Sequence, residues 1–148
     1  MNCLRQGLAA LLLGAASLPL LADDVRCLQS TGSGKPIRLS LALLSDEQGQ
    51  HRTGYVRYAG QPDSLPLVFK SSEILDDEEG ENQGRPWEYL STWLEILPAE
   101  ERIGGRYSFH HQGAVLFDFQ YLNLRSGKTY HFAEDRDALD ELNTCVWP

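Results

Sequence analysis

Between positions 36 and 44 apolar and polar side chains alternate strictly: Ile37, Leu39, Leu41 and Leu43 fall on one side, Arg38, Ser40 and Ala42 on the other. A period of two is the mark of a half-buried β-strand. The loop 30–35 (STGSGK) separates it from a first strand over 25–29 around Cys27. The polar turn 45–50 leads to a third strand over 53–58, where Tyr55 alternates with Val56 and Tyr58, so the second and third strands read as a hairpin. Pro62, Asp63 and Pro66 break the chain before a strand over 67–74, with Leu67, Phe69 and Ser71 on one face and Val68 and Lys70 on the other.

An acidic, glycine-bearing stretch, 76–84, has no apolar residue and reads as a solvated loop. Segment 87–97 admits two readings. Trp87, Leu90 and Leu94 fit a helical face, while its tryptophans, tyrosine and Thr92 favour a strand; strand neighbours tip the balance towards strand. A break follows over 98–105, where Gly104 and Gly105 are expected to allow positive φ. Tyr107, Phe109 and His111 then alternate with Ser108 and His110, Gln112 and Gly113 turn, and Val115, Phe117, Phe119 and Tyr121 line one face of a long strand. A second turn over 125–128 (RSGK) and a strand over 129–132 complete a meander. A short helix is expected over 135–142, with Asp135 as N-cap. Seven or eight short antiparallel strands imply an all-β domain, a small sandwich or barrel.

The first residues change the setting in which this domain is read. Arg5, the apolar run 8–21 and small Ala22 before Asp23 and Asp24 form the parts of a cleavable secretory signal over 1–22, with cleavage after Ala16 or Ser17 as the alternative. The remaining domain, 23–148, is expected in the periplasm or secreted. Losing Arg5 leaves 12 basic against 21 acidic residues, a net charge of −9. Such a field repels nucleic-acid phosphates and anionic lipid heads and favours a basic protein partner. Cys3 departs with the signal, so Cys27 and Cys145 form an even pair in an oxidising compartment, and one disulfide is expected to tie the two ends of the domain together.

Candidate chemistry is sparse. GxSxG, HExxH and CxxC are absent, and STGSGK lacks P-loop spacing and precedes a strand, so neither an enzyme nor a cofactor is expected. His110 and His111 point to opposite faces of a strand and cannot share an ion; His111 and His131 could meet across the meander, but a metal site is not expected. The acidic segment 76–81 departs from the EF-hand pattern for calcium. What stands out is the hairpin turn Arg125, Ser126, Gly127 and Lys128, followed by Thr129 and Tyr130, a short polar finger on aromatic strands.

Cysteines near both ends and Ser126-Gly127-Lys128-Thr129-Tyr130 make the chain resemble the bacterial periplasmic and membrane-bound lysozyme inhibitors, small β-barrels or sandwiches with SGxxY or SGxY loops. The resemblance implies that Ser126 enters a lysozyme cleft, that Tyr130 supports the loop and that Lys128 supplies the cation. The separate lysine-glycine segment of that family is missing, and Gly104-Gly105-Arg106-Tyr107 has glycine where the shorter motif has serine. The leading expectation is an exported, non-enzymatic protein that blocks a lysozyme-like cell-wall hydrolase. Immunity against a periplasm-acting toxin, or a small-ligand carrier using Phe117, Phe119 and Tyr121, are the alternatives.

Overall fold

A computed structural model of the chain describes residues 24–75 and 84–148. The signal read over 1–22 and the acidic segment 76–81 lie outside the described residues. Eight strands run in sequence order: β1 (Asp24–Ser30), β2 (Arg38–Ser45), β3 (His51–Tyr58), β4 (Leu65–Ile74), β5 (Glu88–Leu97), β6 (Arg102–Gln112), β7 (Val115–Asn123) and β8 (Thr129–Glu134). Each pairs antiparallel with the next, and β1 pairs with β8, Leu28 opposite Glu134 and Ser30 opposite Phe132, to close a barrel. Closure gives every strand a neighbour on both sides. Among the described residues, no helix is long and apolar enough to cross a membrane.

The alternation in β2 faces inwards as its pattern predicts. Leu39, Leu41 and Leu43 are buried with Val56, Leu67, Trp93, Phe109, Phe119 and Phe132 in one continuous core. Each such aliphatic side chain contributes about 1.5–3 kcal/mol by leaving water. The disulfide joins Cys27 to Cys145 across 118 residues and holds the C-terminal tail against β1 and β2. Arg38 strengthens this clasp: its Nη1 donates to the Pro148 carbonyl at 2.9 Å, and its guanidinium lies 5.8 Å from the Trp147 ring centre.

Four details differ from the sequence reading. In β7 the expected face is split by a bulge: Ser108 pairs with Gln120 but His110 with Phe117, and Asp118 takes a φ of 52°. The extra residue reverses the alternation, so Phe119 and Tyr121 point inwards, Leu116 joins them, and Phe117 is 38% exposed. In β4 a register shift between Phe69 and Ser71 brings Ser72, rather than Ser71, to the wall of an interior cavity. The break over 98–105 shrinks to a 3₁₀ turn, Pro98–Glu100, and Gly104 and Gly105 lie buried within β6 without positive φ. They serve close approach instead: a Cβ at 105 would collide with the Tyr121 ring, and one at 104 with Glu95 and Leu97. Finally, the helix expected over 135–142 is a 3₁₀ turn, Arg136–Ala138, and Asp135 makes no side-chain cap. The tail folds back there, with Leu139 bridging Cys145 and Val146 N–H donating to the Ala138 carbonyl, so these backbone groups are not left for a helix.

Candidate functional site

Segment 87–97 is a strand, and it orders the barrel interior. Its inward residues are Ser91, Trp93 and Glu95, whereas Leu90 and Leu94 lie on the other side and are only partly buried. Ser91 and Trp93 face a cavity of about 740 Å³ at the end where β1 begins and the β6–β7 turn lies. Leu43, Phe69, Phe109 and Leu116 supply its apolar wall, and His51 and Arg52 are among the polar residues that border it. The Arg52 guanidinium lies 5.6 Å from the Phe69 ring centre.

A few polar groups converge in this cavity. His111 Nε2 is 3.1 Å from Ser91 Oγ, which is 3.4 Å from Ser72 Oγ. The His111 ring stacks on Tyr89, centres 5.0 Å apart and planes 10° apart. Burial lowers the His111 pKa, so its imidazole is neutral near pH 7 and offers one donor and one acceptor. Arg26 is held by Asp24 at 2.5 Å and Glu134 at 3.1 Å; hydrogen bonding to Asp24 is the main reason its pKa is raised. The buried indole N–H of Trp93 meets no acceptor among the described residues. Leaving such a donor unsatisfied costs about 1–3 kcal/mol.

The opposite end is narrower and organised around one carboxyl group. Glu95 is 3% exposed; Tyr121 donates to its Oε1 at 2.8 Å and Tyr107 to its Oε2 at 3.4 Å, and the Tyr58 and Tyr107 hydroxyls are 2.8 Å apart. Burial raises the Glu95 pKa against the opposing effect of the two tyrosine donors. Burial also pushes Tyr58 up to about 12 and Tyr107 well above its ordinary value, so both hydroxyls keep their protons. A cavity of about 300 Å³ opens beside Glu95, walled by Tyr58, Tyr121, Tyr130 and Phe132.

The residues singled out in the sequence lie around this narrower end. Arg125, Ser126, Gly127 and Lys128 are exposed at the β7–β8 turn, and Tyr130 is half-buried. Asn123 Oδ1 accepts from the Arg125 and Ser126 backbone N–H groups at 3.0 and 2.9 Å, and Ser126 Oγ accepts from Lys128 N–H at 3.3 Å. Gly127 takes the φ of 70° that this turn requires. Arg125 reaches Glu100 at 3.2 Å, and Lys128 Nζ lies 4.7 Å from the Tyr130 ring centre. Serine and lysine therefore also shape their own turn.

The histidines separate as strand geometry predicts. His110 turns to Glu88 at 2.7 Å, His111 lines the large cavity, and His131 is exposed opposite Gln120. His111 and His131 thus do not converge, and among the described residues no group of three or more His, Cys, Asp or Glu is placed to hold a metal ion. Phe119 and Tyr121 belong to the packed core, while Phe117 is displaced outwards. No family model, curated protein or solved structure matches this chain. The residues that sequence reasoning missed are Ser91, Trp93, Glu95 and the cavity role of His111. One signal was available: a strand with leucines on one side and Ser, Trp and Glu on the other has a polar inner face to explain.

Proposed function

We propose that this protein is an exported, non-enzymatic binding protein that takes a small, mostly apolar molecule into the wide mouth of its barrel. The observation that carries this reading is the cavity of about 740 Å³ with its apolar wall and its few convergent polar groups. Its size lies in the range of about 300–1,000 Å³ typical of ligand pockets, and eight-stranded barrels can hold one small ligand. Neutral His111 and Ser91 favour a ligand bearing one polar group able to hydrogen-bond. The disulfide supports a location outside the cytoplasm.

Titration with the fluorescent apolar probe N-phenyl-1-naphthylamine tests the reading. Saturable enhancement with one site per chain is expected, and Ser91→Phe, which fills the cavity from β5, should abolish it while the folded spectrum is kept. Absence of saturable binding, or undiminished binding by a folded S91F protein, would rule the reading out.

A second reading rests on the exposed β7–β8 turn. Its tip is held by Asn123 and presents Arg125, Ser126 and Lys128 outwards, which suits insertion into the cleft of a basic lysozyme-like hydrolase. Micromolar protein should then inhibit c-, g- or i-type lysozyme, and Ser126→Ala should remove the inhibition. No effect on any of the three would dispose of it.

A further inference from the structure

The narrow end of the barrel carries a second, chemically different site. Glu95 projects from β5 into the cavity of about 300 Å³ and is almost wholly buried. Its carboxyl oxygens receive Tyr121 and Tyr107, so both hydroxyls are turned towards it as donors. A carboxylate that accepts two hydrogen bonds is organised to carry negative charge, yet, apart from Asn123, its neighbours in the cavity wall are aromatic and aliphatic. No ammonium or guanidinium group hydrogen-bonds to it among the described residues; the nearby Arg102 guanidinium is bonded to Glu100 and to the Ile103 carbonyl.

The same wall is suited to positive charge. Tyr58, Tyr121, Tyr130 and Phe132 bring four rings to one small space, and ring faces attract cations, more strongly once water is excluded. At the rim the Lys128 ammonium already sits 4.7 Å from the centre of Tyr130. Room for the cage comes from Gly104 and Gly105, since a side chain at either position would strike Glu95 or Tyr121.

We infer that the cavity beside Glu95 binds a small organic monocation, its ammonium group held between the Glu95 carboxylate and the rings of Tyr58, Tyr121 and Tyr130. This site lies at the other end of the barrel from the wide mouth and does not depend on a ligand there. The carboxylate supplies the counter-charge, and the rings replace water around the alkyl groups. An inorganic ion would gain less, because it would exchange a full hydration shell for a single carboxylate and aromatic faces.

The test uses the disulfide-bonded protein, with choline as probe and 3,3-dimethyl-1-butanol as its uncharged isostere, followed by NMR of the tyrosine ring and glutamate carboxyl signals. Choline should shift the signals of Tyr58, Tyr130 and Glu95 saturably, lower the Glu95 pKa, and bind at least about tenfold more tightly than the isostere, a ratio of the size one desolvated cation–ring contact supplies. Tyr130→Ala, at a half-buried position, should weaken choline binding by a similar factor, and Glu95→Gln, which removes the counter-charge but leaves the rings, should reduce the preference for choline over the isostere. Equal binding of the two probes to the unaltered protein, or no saturable shift with choline, would overturn the inference. So would unchanged choline affinity in a folded Y130A protein, which keeps the test decisive should E95Q not fold.

Discussion

The two ends of the barrel are built from the same strands yet solve opposite problems. At the wide end, β5 and β6 contribute Ser91, Trp93 and His111, whose polar atoms are few and only partly paired around an apolar space. At the narrow end, the same two strands contribute Glu95, Tyr107 and two glycines, and the interior is a connected hydrogen-bond network. Two residues of travel along β5, from Trp93 to Glu95, separate the two environments. The lesson is that side-chain volume divides a barrel: the wide mouth is bordered by small Gly113 and Ala114, and the other is narrowed by three tyrosines around an acid.

The largest effect should come from the feature that supports both ends. Cys27→Ser with Cys145→Ser releases a link spanning 118 residues and should lower unfolding stability by up to about 5 kcal/mol, read by urea denaturation. Both cavities should lose their probes together; survival of one alone would show that the ends fold independently. Gly105→Ala should cost about 1–3 kcal/mol, because its Cβ meets the Tyr121 ring, and should damage the narrow end while N-phenyl-1-naphthylamine binding at the wide end persists.

A pH series separates the ends further. Glu95 has a raised pKa in the fold, so between its ordinary value near 4.5 and its elevated one the folded protein holds more protons than the unfolded chain, and stability falls as pH rises through that window. Removing this contribution with Glu95→Gln should flatten the decline, as measured by thermal unfolding from pH 4 upwards (~ordinary glutamate range). His111 has a lowered pKa, so its contribution has the opposite sense: stability is lost as pH falls from about 6.5 through the depressed value. The smallest change is expected at the β7–β8 turn. Ser126→Ala removes one exposed 3.3 Å hydrogen bond and should alter stability by no more than about 0.5 kcal/mol.

Much of this architecture was legible locally. The alternation of Leu39, Leu41 and Leu43 and the even cysteine pair pointed to an antiparallel β-domain clasped at its ends. Strand β5 was harder, because leucine at 90 and 94 suggested a helical stripe while the residues that turn inwards include serine and glutamate. Inward polar residues look like errors of pattern until the cavity and the partners that they serve are known. Similarly, the Ser126 turn drew attention because its motif is contiguous, whereas Ser91, Glu95, His111 and Tyr58 come from three strands and acquire meaning only together.

Strand periodicity, turn residues and the cysteine pair are properties of neighbouring positions and overall composition, so they could be read along the chain. Closure into a barrel, the bulge at Asp118 and the division of its interior into an apolar mouth and a tyrosine–carboxylate cage could not. The physical reason is that side chains alternate across a strand: one extra residue turns Phe117 outwards and Phe119 inwards, and only pairing with β6 decides where that residue is placed.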